Sequence, residues 1–210
     1  MTFITIEQRS GGHYHEVQLD DTFDFVNTLE YDANEGTPNE HLPTAERAVE
    51  WFATRGLIHA ESLETSDRDL ERIRAVRAAL REIADAVVEH RAPKRGALDR
   101  VNRTLRARSA TELVAGEDGI GIGHRHVGDP IDDALARVTE PLVQELASGN
   151  PDRLRVCAND GCRDVFVDRS PGGKRRWCDM RTCGNQAKVA RHRARARELA
   201  AGVSTATLAD

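Results

Sequence analysis

The chain has 210 residues, of which 39% are apolar and 31% charged. At about 150 residues per domain, that length holds one full domain and a small appendage. No apolar run approaches the roughly 20 residues that a bilayer crossing takes, and Met1–Glu7 lacks a basic start followed by an apolar stretch, so neither a membrane protein nor a secreted one is expected.

The net charge of -5 conceals a split. Residues 1–150 carry 17 basic and 28 acidic side chains, a net -11, whereas residues 151–210 carry 13 and 7, a net +6. A basic module on an acidic body marks a polyanion-binding end. Arginine outnumbers lysine 27 to 3, which reflects a GC-rich genome more than a particular chemistry.

Phe3–Leu19 alternates weakly around Ser10-Gly11-Gly12 and reads as a short hairpin. The apolar stretch Phe23–Leu29 begins the core, and residues 32–43 read as a loop. Thr44 is placed to cap a helix that presents Ala48, Val49, Trp51 and Phe52 and stops at Gly56. Ser66 or Asp67 opens a longer helix with Leu70, Ile73, Val76, Leu80, Ile83 and Val87 on one face, ended by Pro93. Leu98, Val101 and Leu105 mark a third helix, and residues 110–127 read as a glycine-rich β-hairpin. Asp129-Pro130 caps a fourth helix with Ile131, Leu135, Val138, Leu142 and Leu146 inward, which Pro141 is expected to kink or split. Ser148–Pro151 is the expected boundary.

All four cysteines follow that boundary, as Cys157-x4-Cys162, fifteen residues, then Cys178-x4-Cys183. Four thiolates in two short loops suit a tetrahedral zinc, each loop supplying two corners. The site is then structural, because four protein ligands leave no position open for water. Two disulfides lack a secretion signal, and a redox pair would show Cys-x-x-Cys spacing. An iron–sulfur cluster also takes four thiolates, but the paired spacing favours zinc. Between the pairs, Val165–Val167 reads as a strand, Ser170–Gly173 as a turn and Arg175–Trp177 as the returning strand. A helix is expected from Gly184-Asn185 to about Ala201, which places the last sulfurs at its positive end.

The segment from Arg155 to Arg193 resembles the CGNR zinc fingers, named for a Cys-Gly-Asn-Arg motif at the last ligand. Here the motif reads Cys183-Gly184-Asn185-Gln186, so its arginine is replaced. The cysteine spacing, Trp177-Cys178 and the basic stretch Lys188–Arg193 fit. The body is similar to the ABATE domain through Phe25–Thr28, the Trp51 helix and Val76–Arg81. The resemblance implies a stress-linked transcription regulator.

On a helical wheel Lys188, Arg191, His192 and Arg195 share one face, with Arg193 and Arg197 nearly opposite. Lys174, Arg175 and Arg176 form a second cluster, and Gln186 with Asn185 offers amides to base edges. Together, Lys174, Arg175, Arg176, Gln186, Lys188, Arg191, Arg193 and Arg195 make a candidate nucleic-acid face. Duplex DNA is the first choice, with RNA and a protein-adaptor role as alternatives. The competing reading of such a helix is a solvated one. Trp177 reads as a core residue of the small module rather than a stacking platform.

Asn27, Arg77 and Asn102 are polar groups set among apolar positions and are candidates for an effector site in the body. Their ordinary roles are ion pairing for Arg77 and turn capping for Asn27. An enzyme is disfavoured. His13-x-His15 and His124-x-His126 have no third ligand nearby, and the phosphate, dinucleotide, nucleophile-elbow and zinc-protease motifs are missing.

The expected fold class is α+β. A mainly helical domain over 1–150 with a small β-hairpin component precedes a treble-clef-like finger over 151–202, formed by a β-hairpin and basic helix, and a tail over 203–210. The expected cofactor is structural Zn2+, and the expected partners are DNA, a small-molecule effector and a second copy in a homodimer, with no membrane. The expected location is the cytoplasm, on the nucleoid.

Overall fold

The computed structural model describes residues 17–31, 38–58, 63–107, 110–116, 119–125 and 128–206. Residues 3–16 of the hairpin expected over Phe3–Leu19 lie outside them, and Leu19 opens a helix instead. Among the described residues the chain forms six α-helices and three two-stranded antiparallel sheets. No helix there is long and apolar enough to cross a membrane.

Helix α1, Leu19–Val26, buries Phe23, Phe25 and Val26. The Phe25 ring packs at a tilt, 5.5 Å from Trp51 and 5.4 Å from Phe52 of helix α2, Ala45–Thr54. Thr44 caps α2 by accepting from the Arg47 amide, and Gly56 at φ +66° turns the chain out of it, in the region where glycine meets no steric cost. Strands β1, Leu29–Tyr31, and β2, Pro38–Glu40, pair between these helices, so part of the expected loop is sheet.

Helix α3, Asp67–Val88, is the axis of the body, in contact with α1, α2 and the two helices that follow it in the body. Ser66 and Asp69 form a reciprocal capping box at its start. Leu70, Ile73, Val76, Leu80 and Ile83 are buried as the spacing predicts. The helix ends five residues before Pro93, through Glu89 and a left-handed His90 at φ +52°. In helix α4, Arg95–Leu105, Val101 is buried while Leu98 is exposed.

Strands β3, Ala110–Gly116, and β4, Gly119–Arg125, form the expected hairpin. Asp129 caps helix α5, Pro130–Ser148, by accepting from the Ile131 amide at 2.8 Å. Pro141 does not split α5, which runs as one helix. Proline removes only one backbone donor, and packing on α1, α3 and α4 holds the turns on either side.

After a 3-10 turn at Pro151–Arg153, strand β5, Leu154–Val156, pairs with β6, Val165–Val167, through Leu154↔Val167 and Val156↔Val165. This corrects the expected pairing of β6 with Arg175–Trp177. The fully enclosed Asp168 carboxylate accepts from the Ser170 and Arg175 amides and turns the chain into a loop, so residues 175–177 lie outside the ladder. Leu154 and Val165 belong to the same apolar core as helices α1–α5. Helix α6, Cys183–Ala206, is 24 residues long, about 36 Å. From Lys188 to Glu198 it is exposed on every side.

Candidate metal centre

The first cysteine loop is the turn of the β5–β6 hairpin. The Cys157 amide donates to the Asp164 carbonyl at 2.8 Å, and the Cys162 amide donates to the Asn159 carbonyl at 2.9 Å. The Asn159 side-chain carbonyl accepts from the Gly161 amide, and Arg163 closes the turn at φ +54°. The second loop is organised by Asp179, whose carboxylate accepts from the Arg181 and Thr182 amides. Gly184 sits close beneath its neighbours: a Cβ there would lie 3.1 Å from the Met180 side chain and 3.3 Å from Trp177, so those side chains would have to shift by a few tenths of an ångström. The loops are tied together where the Ala158 amide donates to the Arg176 carbonyl at 2.8 Å.

These loops bring the four sulfurs within 4.8 Å of one another. Bonds of about 2.3 Å to a tetrahedral zinc imply sulfur–sulfur edges of about 3.8 Å. Cys178 and Cys183 are 3.8 Å apart, and Cys162 and Cys178 3.4 Å. The donor set and its spacing therefore fit the metal. Cys157, Phe166 and Cys183 form a second small core with Trp177 packed against it, as the core reading of that indole anticipates.

Burial pushes the Cys162 and Cys178 thiols well above the ordinary cysteine range. Burial acts in the same direction on Cys183, but hydrogen bonds from Asn159 and the neighbouring thiols outweigh it and hold Cys183 below that range. Burial also raises the Asp164 carboxyl beside Cys162 and Cys178. A metal binding here displaces protons, so its affinity rises with pH.

The candidate nucleic-acid residues divide by environment. Lys174, Arg176, Lys188, Arg191, Arg193 and Arg195 are exposed, and among the described residues no ion pair engages them. Arg175 turns inward: its guanidinium donates to the carbonyls of Trp177 and Cys178 and lies 5.0 Å from the Phe166 ring. Gln186 is exposed, with its carbonyl accepting from Asn159. Arg181, which the sequence reading passed over, adds an exposed charge beside the second loop.

The body candidates also separate. Arg77 is buried and grips the Glu40 carboxylate with two bonds, at 2.7 and 2.5 Å, and the Thr28 hydroxyl at 2.9 Å. Asn27 commits both ends of its amide to the Val165 backbone. Asn102 is exposed on α4. Asn159-Asp160-Gly161 reads in sequence as a tight turn, which the structure shows, but the side-chain roles of Asp168 and Arg81 do not show in sequence. Arg81 reaches from α3 to donate to the Arg163 carbonyl, next to Cys162. No pattern in sequence announces such long-range side-chain to backbone bonds.

A family model described as "Putative stress-induced transcription regulator", the ABATE domain, matches residues 22–150. The chain belongs to the ABATE family. A CGNR zinc finger model matches residues 153–196, in the same order along the chain, and contains all four cysteines. Both descriptions are of regulator and zinc-finger types rather than of enzymes. No curated protein matches the ABATE chain.

Proposed function

We propose that this ABATE protein is a DNA-binding transcription regulator of the cytoplasm and nucleoid, with no catalytic activity of its own. Cys157, Cys162, Cys178 and Cys183 hold a structural zinc. The ion supplies a fixed crosslink between the two loops, and the protein residues do the recognition. Lys188, Arg191, Arg193 and Arg195 on α6, with Lys174 and Arg176 beside the site, contact phosphates. Arg181 extends that cluster.

One observation carries the reading. From Lys188 to Glu198 the helix that leaves the module carries arginines on opposite sides, exposed and without ion pairs among the described residues. A helix polar on all sides has no core to pack on, and its self-repulsion is relieved by a polyanion. The acidic body, at net -11 over residues 1–150, repels the same ligand and confines contact to the finger. In this reading the body is the regulatory half, open to an effector or to a second copy of the chain.

The test is binding of the zinc-loaded chain to duplex DNA, single-stranded DNA and folded RNA across a salt series. About five neutralised phosphates give a log–log slope near -4.5 on duplex. Salt-insensitive binding, or none at low salt, overturns the reading. A preference for folded RNA replaces DNA as the partner.

A further inference from the structure

We propose that Asn159 and Gln186 form a positioning pair that aims an N–H group at the Cys183 sulfur and thereby slows loss of the metal. The inference rests on the reading that the four cysteines hold a metal ion. It concerns residues that are not themselves ligands.

The geometry is over-determined. The Asn159 side-chain carbonyl accepts from the Gly161 amide at 3.2 Å. A backbone N–H can only donate, so the oxygen end of the Asn159 amide must face Gly161 and the NH2 end must face the other way. That NH2 carries two hydrogens, and each has an acceptor. One is the Gln186 carbonyl oxygen at 2.9 Å. The other is Cys183 Sγ at 3.4 Å, a length suited to the large sulfur atom. The side chain therefore has its orientation fixed at both ends.

The pair also joins parts of the site that are far apart in sequence. Asn159 belongs to the first cysteine loop, whereas Cys183 and Gln186 lie in the first turn of α6. Four thiolates around a divalent cation carry a net charge of about -2, and Cys183 is buried. An N–H directed at that sulfur draws off part of its charge in a place water reaches poorly. The bond favours the bound thiolate and opposes the first step of release, in which a sulfur leaves the ion.

Gln186 has a chemical reason to be there. In the Cys-Gly-Asn-Arg motif the position belongs to arginine. A guanidinium has donors only and offers nothing for the Asn159 NH2 to donate to. A glutamine supplies the acceptor. At this position the chain carries an uncharged acceptor that faces the Asn159 NH2.

The experiment uses the full chain loaded with zinc or with cobalt. It compares wild type with Asn159→Asp, Gln186→Leu, Gln186→Arg and Gln186→Glu. The readouts are the rate of zinc transfer to a chromophoric chelator and the thiolate-to-cobalt charge-transfer band. Asn159→Asp, Gln186→Leu and Gln186→Arg are expected to release zinc about ten-fold faster or more and to move the band to longer wavelength. Gln186→Glu keeps an acceptor and is expected to restore the wild-type values. Position 186 is exposed, so those variants remain informative even where Asn159→Asp fails to fold. Wild-type release rates and an unmoved band in Gln186→Leu and Gln186→Arg, with one metal still bound per chain, overturn the proposal alone. A wild-type chain that binds neither metal overturns the metal reading with it.

Discussion

Asn27 pairs with Val165 as one strand residue pairs with another. Its Nδ2 donates to the Val165 carbonyl at 2.9 Å, and its Oδ1 accepts from the Val165 amide at 2.9 Å. A single side chain at the end of α1 thus completes the edge of the cysteine-bearing hairpin, 138 residues along the chain. Asn27→Ala removes both bonds and leaves two partly buried backbone groups without partners. At about 1–3 kcal/mol for each buried group so stranded, the zinc-loaded variant is expected to melt several degrees lower. An unchanged melting temperature would show that water replaces the amide at no cost.

The same contact alters what metal removal does. The boundary at Ser148–Pro151 invites the expectation that chelation unfolds residues 151–200 and spares the body. Yet Leu154 and Val165 sit in the core shared with α1–α5, and Arg81 of α3 holds the carbonyl next to Cys162. Loss of the metal frees the loops that set the hairpin, and the hairpin covers the body's core. Chelation is therefore expected to lower the melting of the whole chain in a single transition. Calorimetry with and without chelator decides it, and a body transition that stays in place would show two independent units.

What was legible in sequence is what local chemistry determines. Thr44 with Gly56, Ser66, and Asp129 with Pro130 are caps within a few residues of the turns they satisfy, whereas the answering bond between Asp69 and Ser66 emerges only in the structure. The paired cysteines announce a closed metal site because each pair must supply two neighbouring corners. Three-residue strands carry too little periodicity to name their partner, so the sequence pairs β6 with residues 175–177 as readily as with β5. Arg175 reads in sequence like its basic neighbours, since composition cannot tell a guanidinium facing solvent from one donating to the Trp177 carbonyl.

Asp168 gives the module an acid limit. Hydrogen bonds from Ser170, with that from the Arg175 amide and the nearby Arg153 charge, outweigh burial and lower its carboxyl to about 2. A carboxylate depressed in the folded state contributes stability above its unfolded value, near 4. That contribution fades as the pH falls through about 2. Asp168→Asn can accept only on one side and presents an NH2 to the other amide. The variant is expected to melt below wild type at pH 7, with the difference shrinking steadily as the pH drops from 4 towards 2. A constant difference across that range would mean that the carboxylate's charge is not what holds the loop.

Arg175 and the α6 arginines carry the same charge and are expected to fail in different ways. Arg191 and Arg195 are exposed and unpaired among the described residues. Each phosphate contact removed reduces the salt slope by about 1, so Arg191→Ala with Arg195→Ala is expected to flatten the duplex-DNA slope by about 2 and leave zinc content unchanged. Arg175 instead bridges the carbonyls of Trp177 and Cys178 and covers the Phe166 ring. Arg175→Ala strands those carbonyls beside a metal ligand. It is expected to speed zinc loss to a chelator while the slope of the still-loaded fraction keeps its wild-type value. The reverse pattern, a flattened slope with intact metal retention in Arg175→Ala, would return that side chain to the phosphate-binding face.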